Sequence, residues 1–112
     1  MERLRKREEF SALLRRGKTL RHSLLTLKAR HNTLAFSRLG LLVSRKVGKA
    51  VVRNKVRRRL REGIRLVPLL PEGWDLLIIA SPEAAAASFQ ELNGAVREVL
   101  SRAGISKEKE ER

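Results

Sequence analysis

The apolar positions change their spacing along the chain, and each change marks an element. Leu4, Phe10, Leu13 and Leu14 recur at roughly helical intervals, which predicts a helix over residues 4–16 with Gly17 as its stop. Residues 20–31 are rich in Leu and Thr and predict one or two strands, with Leu24, Leu25 and Leu27 breaking strict alternation. His31–Asn32 reads as a turn, and residues 33–44 as a further extended segment. Its tail, residues 39–43, is almost continuously apolar, as in a strand covered on both faces. Gly40 inside that run marks a bulge or a close backbone approach.

From Val52 the period becomes helical. Val52, Val56, Leu60, Gly63, Ile64 and Val67 fall on one stripe of a helix over about residues 49–67, which Pro68 and Pro71 end. Residues 74–80, WDLLIIA, form the clearest strand. Residues 88–103 predict a last helix with Phe89, Leu92, Val96, Val99 and Leu100 inward; Ser88 and Glu91 have capping-box spacing and Gly104 suits its C-terminus. The order helix, strands, helix, strand, helix predicts an α/β (α+β) two-layer sandwich, a small central sheet with helices packed on it. One small domain over residues 1–105 is expected, followed by a charged tail, residues 106–112.

Charge sets the function class. The 112 residues carry 26 Lys and Arg against 12 Asp and Glu, a formal charge of +14. Residues 45–65 alone hold ten basic side chains and one acid, Glu62. Solubility needs a net charge of only about 2–8 on a small domain, so a polyanionic partner is the better reading than a solvated face. There is no cysteine, which removes disulfides, thiolate zinc sites and cysteine nucleophiles. No run approaches the ~20 apolar residues of a membrane span. The charged opening MERLRKREEF lacks a signal sequence's apolar core, so a cytoplasmic location is expected.

On a helical wheel the central helix divides in two. Asn54, Arg57, Arg58, Arg61 and Arg65 lie within about 100° of one another, opposite the apolar stripe. Like charges at i, i+3 and i+4 cost a few tenths of a kcal/mol per pair, and an anionic ligand removes that cost. Arginine rather than lysine favours forked contacts with phosphates and base edges. Asn54 can contact a base or a phosphate, or orient a neighbouring arginine. Arg53 and Arg59 flank the apolar stripe with their heads free to extend toward solvent, and Lys55 lies on a shoulder. The preceding loop adds Arg45, Lys46 and Lys49, and Gly48 there would let backbone N–H groups approach a phosphate. Its spacing matches neither a P-loop nor a dinucleotide fingerprint.

The stretch from Gly40 to Arg61, GLLVSRKVGKAVVRNKVRRRLR, resembles the signature of the bacterial ribonuclease P protein subunit. That family has an "RNR" segment on its basic helix, and here it reads Arg53-Asn54-Lys55. The resemblance implies a small α/β sandwich with the basic helix in a left-handed βαβ crossover. It implies a protein that does not cut RNA itself but is the protein component of a ribonucleoprotein endoribonuclease. The catalytic RNA, with bound magnesium, removes the 5′ leader of precursor tRNA. The protein itself would bind no cofactor, and its partners would be the catalytic RNA and precursor tRNA, with no membrane and no small-molecule substrate. By position, Arg53, Asn54, Lys55, Arg57, Arg58 and Arg61 would face RNA, with Lys46 and Lys49 on the same surface. Phe10 matches an aromatic position of a cleft that holds the single-stranded leader. Leu14 and Leu27 stand where that cleft often has further aromatic residues.

The remaining candidates read as structural. Phe36, Phe89 and Trp74 suit a core, His22 and His31 a surface, and Glu72 with Asp75 the start of a strand. No nucleophile and base stand in a catalytic arrangement. The rival readings are a ribosomal-type structural RNA binder and a protein that binds DNA or anionic membranes. The apolar stripe of the basic helix, broken by Gly63, fits a core better than lipid.

Overall fold

The computed structural model describes residues 1–67 and 70–105. Pro68, and the expected tail at 106–112, therefore lie outside the described residues. The elements, in chain order, are β1 (Glu2–Arg3), α1 (Arg7–Arg16), β2 (Lys18–Arg21), β3 (Leu25–His31) and β4 (Arg38–Leu42), then α2 (Ala50–Arg65), β5 (Trp74–Ala80), a 3₁₀ turn (Pro82–Ala86) and α3 (Phe89–Arg102). They form the expected α+β sandwich. One five-stranded sheet has the order β1-β4-β5-β3-β2. β4 and β5 are parallel neighbours joined through α2, a βαβ unit, whereas β3 pairs antiparallel with both β5 and β2.

The first helix is shorter than its apolar spacing predicts. Residues 2–3 pair in parallel with Arg38 and Leu39, and the Leu4 N–H donates to the Leu39 carbonyl at 2.9 Å. Leu4 is thus a core residue, but of the N-terminal strand's exit and not of the helix. The helix begins where Glu9 can accept from the N–H groups of Arg5 and Lys6, both at 3.0 Å. It ends at Gly17, whose added Cβ would lie 2.7 Å from the Leu13 carbonyl oxygen.

β5 explains its own sequence. It runs between β4 and β3, and Leu76, Leu77 and Ile78 have no exposed surface, because both faces of the sheet are covered there. Leu76 and Ile78 face the main core with Leu25 and Leu27 of β3, against Val56, Leu60 and Ile64 of α2 and Leu92, Val96 and Leu100 of α3. Leu77 faces the other way, toward Leu13 of α1 and Leu4, with Phe10 and Ile79 packed alongside. So α2 and α3 cover one face, and α1 crosses part of the other. The expected capping box of α3 is formed: the Glu91 N–H donates to Ser88 Oγ at 3.0 Å, and the Ser88 N–H to Glu91 Oε1 at 2.8 Å.

β4 departs from expectation. It has strands on both edges, but Leu42 is exposed, since α1 does not reach that end of the sheet. The turn expected at His31–Asn32 begins one residue later. His31 still pairs with Trp74, and the Asn32 side chain then accepts from the Leu34 N–H at 2.8 Å. Phe36, expected in the core, is exposed in this loop, while Trp74 packs beside the core and lies against the His31 ring at 3.8 Å between centroids.

Candidate nucleic-acid interface

α2 turns its apolar stripe to the core and its guanidinium stripe outward. Val56, Leu60, Gly63 and Ile64 are buried, whereas Asn54, Lys55, Arg58, Arg61 and Arg65 are exposed and Arg57 is half-buried. The outward stripe is partly organised by its own contacts. Asn54 Oδ1 accepts from Arg57 Nη1 at 2.9 Å, which orients that guanidinium and leaves the Asn54 amide N–H₂ available. Arg65 is forked onto Glu62, with Nε to Oε1 at 3.1 Å and Nη2 to Oε2 at 2.6 Å. That hydrogen bond lowers the Glu62 carboxyl below its ordinary value and raises Arg65 above its own. Of Arg57, Arg61 and Arg65, one turn apart along the helix, Arg61 is the one with no partner among the described residues.

Two flanking arginines do not extend into solvent as their wheel positions suggest. Arg53 is half-buried and its Nε donates to the Gly48 carbonyl at 3.0 Å; Arg59 Nη1 donates to the Ala87 carbonyl at 2.8 Å. The first ties the helix to the loop before it, the second to the segment before α3. Each satisfies a carbonyl outside a regular ladder.

The loop at residues 44–49 presents Arg45, Lys46 and Lys49 as exposed cations, but its backbone is not free for a phosphate. The N–H groups of Lys46, Val47 and Gly48 already donate to Ser44 Oγ, the Ser44 carbonyl and the Arg45 carbonyl. Gly48 is needed for another reason: its φ of 153° closes this turn and aims its carbonyl at Arg53. Lys49 sits at the N-cap without capping α2 by its side chain. The positive end of the helix therefore adds to the field of these three cations.

The second candidate surface is the sheet face that α1 leaves open. Phe10 is half-buried over Gly40, where an added Cβ would come within 2.8 Å of Phe10 Cε1; this is the close approach that Gly40 permits. Leu14, one turn on, is exposed. Leu27 is not part of this surface. It has no exposed area, because its side chain points through the sheet into the α2–α3 core. The leader-cleft position expected for it is corrected accordingly. Strand alternation puts its neighbours Thr26 and Lys28 on the open side, in register with Ile79 and Leu77. Leu42 pairs with Ile79, and Arg21 with Thr26, on that same side. The open face is therefore a strip of apolar and hydroxyl groups bordered by Arg21 and Lys28. Single-sequence reading missed Thr26, Lys28 and Leu42, since the break at Leu24, Leu25 and Leu27 hid which parity faces which layer.

A groove of about 650 Å³ joins the two surfaces around the β1–β4 edge. Phe10 and Gly40 border it on one side and Arg57, Arg61 and Arg65 on the other. Among the described residues no three His, Asp or Glu side chains gather as metal ligands would, and no helix is long and apolar enough to cross a membrane.

Comparison with known proteins agrees with this arrangement. The family model for ribonuclease P matches residues 1–104. The ribonuclease P protein component of Roseiflexus castenholzii is 42% identical over 105 residues, covering 92% of this chain and 86% of that protein. The one from Dehalococcoides mccartyi is 42% identical over 110 residues, covering 98% and 91%. Among solved structures, the Staphylococcus aureus RNase P protein superposes with a TM-score of 0.87 at 25% identity, over 95% of this chain and 98% of that one. The Thermotoga maritima RNase P protein does so with a TM-score of 0.80 at 33% identity, over 91% and 97%. With its whole described fold, its basic crossover helix and its sequence in agreement, the chain belongs to the ribonuclease P protein family.

Proposed function

We propose that this chain is the protein subunit of a ribonucleoprotein endoribonuclease that matures the 5′ end of tRNA. It docks on the catalytic RNA through α2 and holds the single-stranded leader of precursor tRNA on the open face of the sheet. The observation that carries this reading is the outward guanidinium stripe of α2, in which Asn54 orients Arg57 and Arg61 has no partner among the described residues, in a member of the ribonuclease P family. Such a stripe suits phosphate and base-edge contacts. The open face suits an unpaired strand. Phe10 offers one ring edge for stacking, Leu14, Leu42 and Ile79 offer apolar contact, and Arg21 and Lys28 flank the path of the phosphates.

The protein contributes binding and placement. The resemblance assigns the bond cleavage, and the magnesium it uses, to the RNA. Positioning alone is a large catalytic effect, since holding the reacting groups in register replaces a bimolecular encounter. Neutralising phosphates at the RNA–substrate junction also lowers the requirement for bulk divalent cations.

Reconstitution tests this directly. The purified chain is mixed with a bacterial ribonuclease P RNA and a precursor tRNA at low magnesium. Leader removal that depends on the protein, and falls as the leader is truncated, is the expected result. Binding to the RNA with no effect on cleavage would overturn the proposal and favour a ribosomal-type RNA binder.

A further inference from the structure

We propose that the groove between α2 and the N-terminal segment is a nucleotide site that takes one unpaired nucleotide of the catalytic RNA. This rests on the reading that α2 docks on that RNA. The groove has a built character that a plain phosphate contact does not require. Its floor is apolar, made by Leu39 and Leu41 of β4 and Ile64 of α2. Its rim on the α2 side carries Arg57, Arg61 and Arg65. Its volume of about 650 Å³ falls within the roughly 300–1,000 Å³ of sites that enclose small organic groups. An apolar floor under a row of guanidiniums matches a nucleotide, with the base below and the phosphate at the rim.

The sheet edge supplies the means to hold a base. β1 pairs only as far as Leu39, whose carbonyl accepts from the Leu4 N–H. In a ladder, alternate residues point their N–H and C=O to the same side. Ser37 and Leu39 direct their carbonyls toward β1, so Leu41 directs its N–H and C=O to that side, past the end of β1 and into the groove. One donor beside one acceptor complements the Watson–Crick edge of an unpaired base. A paired base has that edge occupied. On the opposite wall Glu2 offsets Arg3, whereas the α2 side carries three guanidiniums, so the anionic phosphate belongs on the α2 side. There Arg57 is already oriented by Asn54, and Arg61 one turn on has no partner among the described residues.

Two measurements test this. First, methyl-labelled protein is titrated with AMP, adenosine and inorganic phosphate, each followed by NMR. AMP should shift the methyl signals of Leu39, Leu41 and Ile64 and bind about tenfold more tightly than either fragment, and Arg61→Ala should remove most of that advantage. Phosphate matching AMP, with the floor methyls unmoved, would overturn the proposal. This titration needs no cleavage activity, so its failure is separable from failure of the ribonuclease P reading. Second, p-benzoylphenylalanine replaces Arg3 in a reconstituted particle that cleaves precursor tRNA. Photocrosslinks to an unpaired position of the catalytic RNA support the site. Crosslinks confined to the precursor leader, or to no RNA, overturn it.

Discussion

Arg38 grips Asp75 with two nitrogens along one edge of its guanidinium, Nε to Oδ1 at 2.9 Å and Nη2 to Oδ2 at 2.7 Å, and its remaining nitrogen reaches Glu9 of α1 at 2.6 Å. One side chain thereby ties β4 to β5 and to the helix across the sheet. Asn32 completes the carboxylate's partners with an N–H at 2.8 Å. The group that a sequence reading weighs as a strand-start acid is the centre of a polar network on the α1 face.

This network predicts acid sensitivity. Burial pushes the Asp75 carboxyl up, but the hydrogen bonds from Arg38 and Asn32 outweigh it and the net direction is down. The Glu9 carboxyl is lowered chiefly by the N–H groups of Lys6 and Arg5. Carboxyls that are more acidic in the folded state stabilise it above their unfolded values, 3.8 and 4.5, and that stability is lost as pH falls through the lower folded values. Thermal melts should therefore drop below about pH 4.5, and Asp75→Asn should flatten the dependence. Asp75→Ala, which leaves Arg38 without its fork, should cost about 2–3 kcal/mol in urea titrations. An unchanged melt would remove the network from the fold's supports.

Asn54 and Arg61 should separate orientation from charge. Asn54→Ala releases Arg57 and should weaken RNA binding several-fold while leaving the salt dependence almost unchanged, because no cation is lost. Arg61→Ala should lower the slope of log K against log salt by about 0.7–0.9, one phosphate contact. Filter binding across a salt series distinguishes the two. Equal slope changes would show that Asn54 does not act through Arg57.

If α2 docks on RNA as proposed, the Glu62 ion pair competes with the RNA for Arg65. Glu62→Gln should leave the fold intact and tighten RNA binding about two- to fivefold at low salt, the scale of a surface ion pair that no longer competes. Weaker binding would mean that Glu62 positions Arg65 for the RNA instead.

Gly40 is the lever on the proposed leader surface. Gly40→Ala places a methyl 2.8 Å from Phe10 Cε1 and 3.1 Å from Leu4 Cδ1, so the ring must move. A loss of about 1–2 kcal/mol in stability is expected, as for modest overpacking. Cleavage of precursors with long leaders should fall more than affinity for the catalytic RNA. Equal effects on both would dissociate Phe10 from leader binding.

Much was legible from spacing alone. The stripe of Val56, Leu60 and Ile64 fixed which side of α2 is core, and so which side carries Arg57, Arg58 and Arg61. The apolar run WDLLIIA marked the clearest strand, and the Ser88–Glu91 spacing set the start of α3. These are local properties: helical period, capping chemistry and burial along one segment. The same local patterns assigned the charge to one helix, and the residues around Asn54 carried the family resemblance.

Tertiary structure decided what depends on pairing between distant segments. It turned residues 2–3 into an edge strand, where apolar spacing had joined Leu4 to the helix. It sent Leu27 to the α2–α3 core and Thr26 and Lys28 to the open face, because strand parity is set by register with β5, and a one-residue shift would exchange the two sides. It bound Arg53 and Arg59 to carbonyls, joined Arg38 to Asp75, and assembled the groove from β4, α2 and the N-terminal segment. A single sequence specifies which residues are apolar or charged, but the partner of each is chosen only when the sheet closes.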